Sequence, residues 1–155
     1  MKLYLVQHGE AVAKEINPDR PLSERGVRDM EKIARLLRQG EISAGRVLHS
    51  GKLRAEQTAK LLAAAIMPGG EPESVEGINP NDDIAAFAKR LNNLDMDTLI
   101  AGHLPFMARL VSWLITGNRE QETLAYQPGS VVCLQRTGED KWILEWMIRP
   151  ELLRD

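Results

Sequence analysis

The sequence predicts an α/β fold: a three-layer α/β/α sandwich on a mostly parallel, mixed sheet with a C-terminal antiparallel hairpin. Three observations predict it. Short apolar runs such as Leu3-Tyr4-Leu5-Val6 are continuous rather than alternating, the pattern of strands covered on both faces. Between such runs, apolar residues recur at three- and four-residue steps, the period of a helix with one buried face. The last third of the chain changes character and reads as two strands around a turn. Strands alternating with helices call for parallel strands joined by right-handed crossovers, with helices on both faces.

The elements follow in order. After the first strand, Ser23 is placed to cap a helix carried by Val27, Met30, Ile33, Ala34 and Leu37, with Gly40 as its stop. Residues 46–50 read as a second strand. A second helix has Leu53, Ala55, Thr58, Ala59, Leu62, Ala65 and Ile66 on or near one face and ends at Pro68-Gly69-Gly70. A short third strand is expected within residues 71–76. Asn81 or Asp82 is expected to cap a helix that turns Ile84, Phe87, Ala88, Leu91 and Leu94 inward. Residues 98–101 make another strand, and Pro105 suits the first turn of a helix continued by Phe106, Leu110, Val111 and Leu114 as far as Gly117. Residues 130–135 and 141–148 pair around Thr137-Gly138-Glu139-Asp140, and Trp142 and Trp146 are read as packing residues on one face of the second strand. No repeat or linker interrupts the 155 residues, so the expectation is a single domain, 1–155, long enough to bury a full core.

Composition narrows the function classes. With 43% apolar and 27% charged residues, the chain reads as soluble and globular. A net charge of −2 with no basic block argues against a nucleic-acid partner. No signal peptide and no membrane-length apolar stretch is read, so the expected location is cytoplasmic. Cys133 is the single cysteine and lies in an apolar run, which predicts a buried, inert thiol.

In open sheets of this kind, ligands bind outside the carboxyl ends of the parallel strands. Gln7-His8-Gly9-Glu10 follows the first strand, Ser50-Gly51-Lys52-Leu53-Arg54 the second, and Gly102-His103-Leu104-Pro105 the strand at Thr98. Two of the three histidines and an arginine therefore emerge at one sheet edge. A neutral imidazole is a nucleophile that forms covalent intermediates. A guanidinium offers a planar fork that matches phosphate oxygens. Gly9, lacking a Cβ, allows close approach of the backbone to a ligand. His103 sits just ahead of a helix start, where anions are favoured, and its ring is suited to donate to oxygens as charge shifts onto them. A phosphoryl group fits such a site. His49 lies inside a strand and reads as structural, and Glu10 as a polar loop residue.

Four segments resemble the motifs of the histidine phosphatase superfamily. They are Val6-Gln7-His8-Gly9-Glu10-Ala11, Arg20-Pro21-Leu22-Ser23-Glu24-Arg25-Gly26, Ser50-Gly51-Lys52-Leu53-Arg54-Ala55-Glu56-Gln57-Thr58-Ala59 and Ala101-Gly102-His103-Leu104-Pro105. Their order and spacing are similar to those of the SixA-type phosphohistidine phosphatases from residue 2 to about residue 115. The resemblance implies that His8 becomes phosphorylated, that Arg20 and Arg54 grip the phosphate, and that His103 stabilises the transition state. His8, Arg54 and His103 are thus the expected catalytic residues, with Gln7, Gly9 and Arg20 contacting substrate and no metal or cofactor. The partner it implies is a phosphorylated histidine phosphotransfer domain or a small phosphorylated molecule.

The sequence departs from the pattern at Gln7, where the family carries arginine, and at Gly51, where it carries proline. Gln7 donates hydrogen bonds to phosphate but brings no charge. No long insertion supplies a carboxylic acid, and Asp82 and Asp83 read as first-turn residues favoured by the helix dipole. An imidazole leaving group is easily protonated near neutral pH and tolerates that lack. The competing readings are a module that binds phosphohistidine with little turnover, a phosphatase of small phosphate esters, and a metal hydrolase built on His8, His103 and nearby carboxylates. The last is disfavoured because two arginines repel a cation.

Overall fold

A computed structural model describes residues 1–155. Six strands form one mixed sheet in the order β3-β2-β4-β1-β5-β6: β1 (Lys2–Gln7), β2 (Arg46–His49), β3 (Glu73–Ser74), β4 (Thr98–Gly102), β5 (Val131–Gly138) and β6 (Lys141–Ile148). The first four run parallel, and β5 is antiparallel to both its neighbours. The helices are α1 (Glu24–Gln39), α2 (Leu53–Ile66), α3 (Ile84–Leu91) and α4 (Phe106–Thr116), followed by a 3₁₀ turn at Pro150–Leu152. The predicted fold class is the one observed.

Strand alternation sorts the core into two layers. Tyr4, Val6, Val47, Leu99, Ala101, Val131 and Cys133 face α1 and α2, where they meet Met30, Ile33, Leu37 and Leu62. Leu3, Leu5, Leu48, Ile100, Val132 and Leu134 face α3 and α4, where they meet Phe87, Leu91, Phe106 and Leu110. Cys133 is fully buried, and that burial pushes its thiol up to about 11. No helix is long and apolar enough to cross a membrane.

Several expectations are corrected in detail. Asp83, not Asn81 or Asp82, caps α3: its carboxylate accepts from the Ala86 N–H, while Asp82 accepts from Asn79. That helix ends at Leu91, so Leu94 packs on the core from the loop beyond. Pro105 is the capping residue of α4 rather than part of its first turn. Trp142 and Trp146 do not share a face. Cys133 pairs with Trp146 but Leu134 with Leu144, so Glu145 is an extra residue opposite the pair. This β-bulge reverses the alternation. Trp142 joins the layer under α3 and α4, and Trp146 packs against Tyr4 on the other side, ring centroids 6.0 Å apart.

Candidate active site

The carboxyl ends of β1, β2 and β4 deliver His8, the Ser50–Arg54 segment and His103 to one edge of the sheet. The His8 and His103 rings face one another with centroids 5.0 Å apart, tilted by 55°. His8 is held from β4 and from the residue two positions before β5. Its N–H donates to Gly102 O at 2.9 Å, and the Gly129 N–H donates to the carbonyls of Gln7 (3.0 Å) and His8 (3.2 Å).

The ring of His8 is also fixed. Its Nδ1 lies 2.7 Å from Gly9 O, and because a carbonyl only accepts, Nδ1 carries the hydrogen. The lone pair therefore sits on Nε2. Burial holds the imidazole down at about 4, against the pull of the Gly9 carbonyl and helped by the positive charges of Arg54 and Arg20. The ring is neutral at pH 7.

His103 is 2% exposed, and burial lowers it to about 3, with His8, Arg54, Lys52 and Arg20 adding to the effect. Its Nε2 is 2.6 Å from Ser50 Oγ, while its Nδ1 is buried without a partner. Arg54 rises from the first turn of α2 with its Nε buried and unpartnered. Burial and the neighbouring Arg20 lower its affinity for a proton. Arg20 has φ of 49° and donates from Nε to Val12 O at 3.1 Å. Neither arginine forms an ion pair, although eight such pairs occur elsewhere in the protein. Two guanidinium groups without a carboxylate partner beside two neutral imidazoles make a region suited to an anion.

Gln7 is 9% exposed, and its Oε1 has no partner. Gly9 serves packing. Its N–H donates to Thr58 Oγ1 at 3.0 Å, and a Cβ there would meet Met30, Leu22 and the Gly26 carbonyl at 3.1–3.2 Å. Gly26 is tighter still: a Cβ would lie 2.1 Å from Glu10 O, so α1 abuts the His8 loop. The Glu10 carboxylate accepts from the Ser23 hydroxyl, and His49 Nδ1 accepts from the Gly51 N–H. No group of three His, Cys, Asp or Glu side chains gathers to hold a metal ion.

Sequence reasoning gave no role to Ser50, Gln57 or Thr58, although all three lie in the quoted Ser50–Ala59 motif. Thr58 Oγ1 accepts from Gly9 and donates to Arg54 O at 2.8 Å, so it ties the His8 loop to α2. Gln57 Oε1 accepts from the Leu22 N–H at 2.7 Å and ties down the loop that carries Arg20.

The profile of the histidine phosphatase superfamily (branch 1) matches residues 3–79. An uncharacterised protein of Picosynechococcus sp. is 33% identical over 112 residues, which cover 68% of this chain and 67% of that one. The phosphohistidine phosphatase SixA of Escherichia coli is 28% identical over 122 residues, 76% of each chain. Among solved structures, the protein histidine phosphatase SixA complexed with tungstate superposes with a TM-score of 0.86 over 98% of this chain and 99% of that one, at 22% identity. In sequence motifs, sheet order and the gathering of His8 with His103, the chain belongs to the histidine phosphatase superfamily.

Proposed function

We propose that the protein is a metal-independent phosphatase that hydrolyses phosphohistidine on a partner protein, a histidine phosphotransfer domain, through phosphorylation of His8. The observation that carries this reading is the bond from His8 Nδ1 to Gly9 O, which leaves Nε2 as a bare nucleophile on a ring kept neutral by burial.

The reaction takes two displacements. In the first, the Nε2 lone pair forms a bond to phosphorus, and the phosphorus–nitrogen bond of the substrate breaks. The departing imidazole keeps that electron pair and takes a proton from solvent. Nδ1 of His8 retains its hydrogen, so the phosphorylated ring carries positive charge, which the Gly9 carbonyl stabilises. In the second, water attacks phosphorus and the pair returns to Nε2; one proton of the water leaves on inorganic phosphate and the other passes to solvent, replacing the one the leaving imidazole took.

Arg20 and Arg54 hold the phosphoryl oxygens, and the Nδ1 of His103 donates to them as charge builds. Gln7 adds uncharged hydrogen bonds to the same group. Asp82 and Asp83 are engaged at the start of α3, and no carboxylate is hydrogen-bonded to His8, Arg54 or His103. A leaving group that solvent protonates readily is the one such a site serves best.

The test is a brief incubation with a ³²P-phosphohistidine protein, followed by a quench in alkali. The expected result is label on His8, stable to base and labile to acid, and release of inorganic phosphate that His8→Ala abolishes. Release at the wild-type rate from His8→Ala overturns the reading. Preferential turnover of a small phosphate ester, with the same label on His8, redirects the substrate.

A further inference from the structure

We propose that Ser50 is a positioning residue that fixes His103 as the tautomer with its hydrogen on Nδ1, so that a ring donor is ready for the phosphoryl oxygens. This rests on the phosphatase reading only for its effect on turnover.

One arrangement of hydrogens uses both the hydroxyl hydrogen of Ser50 and the Nε2 lone pair of His103. Ser50 Oγ lies 2.6 Å from His103 Nε2, and the Lys52 N–H reaches the same Oγ at 3.4 Å. A hydroxyl has one hydrogen to give and two lone pairs to offer. Lys52 occupies a lone pair, and Nε2 is the only protein acceptor within hydrogen-bond distance of the hydroxyl. The arrangement that keeps the hydroxyl hydrogen bonded within the protein has Ser50 O–H donating to Nε2, which is then bare. A neutral ring has one N–H, so that hydrogen falls on Nδ1.

Nδ1 is the atom that needs an external partner, since it is buried and bonded to nothing in the protein. A buried polar atom left unpaired costs about 1–3 kcal/mol, which an incoming oxygen relieves. The opposite tautomer would turn a lone pair toward the phosphoryl oxygens and repel them. The ring is neutral at working pH because burial and the surrounding positive groups oppose its protonation. Double protonation therefore does not supply the donor, and the choice of tautomer decides whether one exists.

Ser50 is half-buried just beyond the end of β2, on the segment that leads to Arg54. One short segment thus carries both an anion-binding cation and the group that orients the opposite imidazole. The hydrogen bond from Gly51 N–H to His49 Nδ1, at 3.0 Å, steadies that segment.

The direct test is long-range ¹H–¹⁵N correlation of the unliganded protein labelled at histidine, at pH 7.5, where three histidines give a readable spectrum. The expected wild-type spectrum has the His103 hydrogen on Nδ1. In Ser50→Ala the ring shifts toward the Nε2–H form, and in Ser50→Thr it stays as in wild type. An Nε2–H ring in the wild type, or an unchanged ring in Ser50→Ala, overturns the proposal. The wild-type spectrum alone decides if the alanine variant does not fold.

Turnover of a phosphohistidine protein gives the second readout. Ser50→Ala is expected to lower kcat about tenfold with KM within about twofold, milder than the 10²–10³-fold that follows removal of a whole transition-state donor. Ser50→Thr restores the rate. Unchanged kcat in a variant whose tautomer has shifted also overturns the proposal. The tautomer measurement needs no turnover, so its failure and the failure of the phosphatase reading are separate.

Discussion

The Gly9 N–H donates to the fully buried Thr58 Oγ1 at 3.0 Å, which fastens the loop of His8 to the helix that carries Arg54. His8 and Arg54 are thereby held in one frame although 49 residues separate the bonded pair. Thr58→Val keeps the shape and orphans the Gly9 N–H. The expected outcome is a stability loss of about 1–3 kcal/mol in urea denaturation, with a lower kcat and with Thr58→Ser close to wild type. A Thr58→Val protein with full stability and kcat counts against the clamp.

Gln7 stands where relatives of this pattern carry a cation, and its Oε1 is unpartnered. Gln7→Arg is expected to raise kcat/KM for a phosphohistidine protein about tenfold, since a charged hydrogen bond exceeds a neutral one by about 1 kcal/mol or more. A fall in kcat/KM would show that glutamine is matched to the substrate.

Acid should silence the site at a defined point. A nucleophile held at about 4 stays unprotonated above that pH, so kcat/KM is flat through neutrality and falls as pH drops through about 4. Folding stability responds over a wider window. His8 and His103 bind a proton at about 6.5 when unfolded but only near 4 and 3 when folded. Below pH 6.5 the unfolded chain takes up protons that the folded chain refuses. Their contribution is therefore fully present above that pH and is lost progressively as pH falls toward 3. A rate that declines already at pH 6.5 contradicts the assignment of a buried neutral His8.

Inorganic phosphate should stabilise the fold through the unpaired arginines. At one hundred times its dissociation constant, a ligand of the folded state adds about 2.7 kcal/mol, visible as a rise in Tm. Arg54→Ala is expected to abolish most of that rise. An equal phosphate effect in the variant removes Arg54 from the binding site.

The two tryptophans of β6 should separate by energetics. Trp142 is 4% exposed within the α3/α4 layer, so Trp142→Ala is expected to cost about 3–5 kcal/mol. Trp146 is half-buried against Tyr4, and its removal should cost distinctly less by the same denaturation measurement.

The tryptophan pair also marks where the sequence stops being readable. Periodicity two assumes an unbroken ladder, and nothing local to Lys141–Ile148 announces that Glu145 is extra. The α3 cap slipped by one or two positions because Asn81, Asp82 and Asp83 are three adjacent candidates, and only hydrogen bonds to Asn79 and Ala86 distinguish them. The parallel strands were legible because burial on both faces leaves continuous apolar runs. His8, Arg54 and His103 were legible because the strand-end rule puts ligands at that edge. Arg20 depended on motif resemblance, since it reaches the site from a loop with a left-handed residue. Ser50 and Thr58 act through side-chain hydrogen bonds that span 53 and 49 residues, which no local pattern encodes.

Gly129 and Ser130, just before β5, bond the backbone of Gln7 and His8. The backbone on either side of His8 is thus held by residues more than 120 positions further along the chain. A fragment stopped short of Gly129 contains His8, Arg20, Arg54 and His103 yet lacks the residues that bond the backbone of Gln7 and His8. Docking of the last hairpin is therefore expected to complete the frame around His8, and a chain lacking it to hold that ring less firmly.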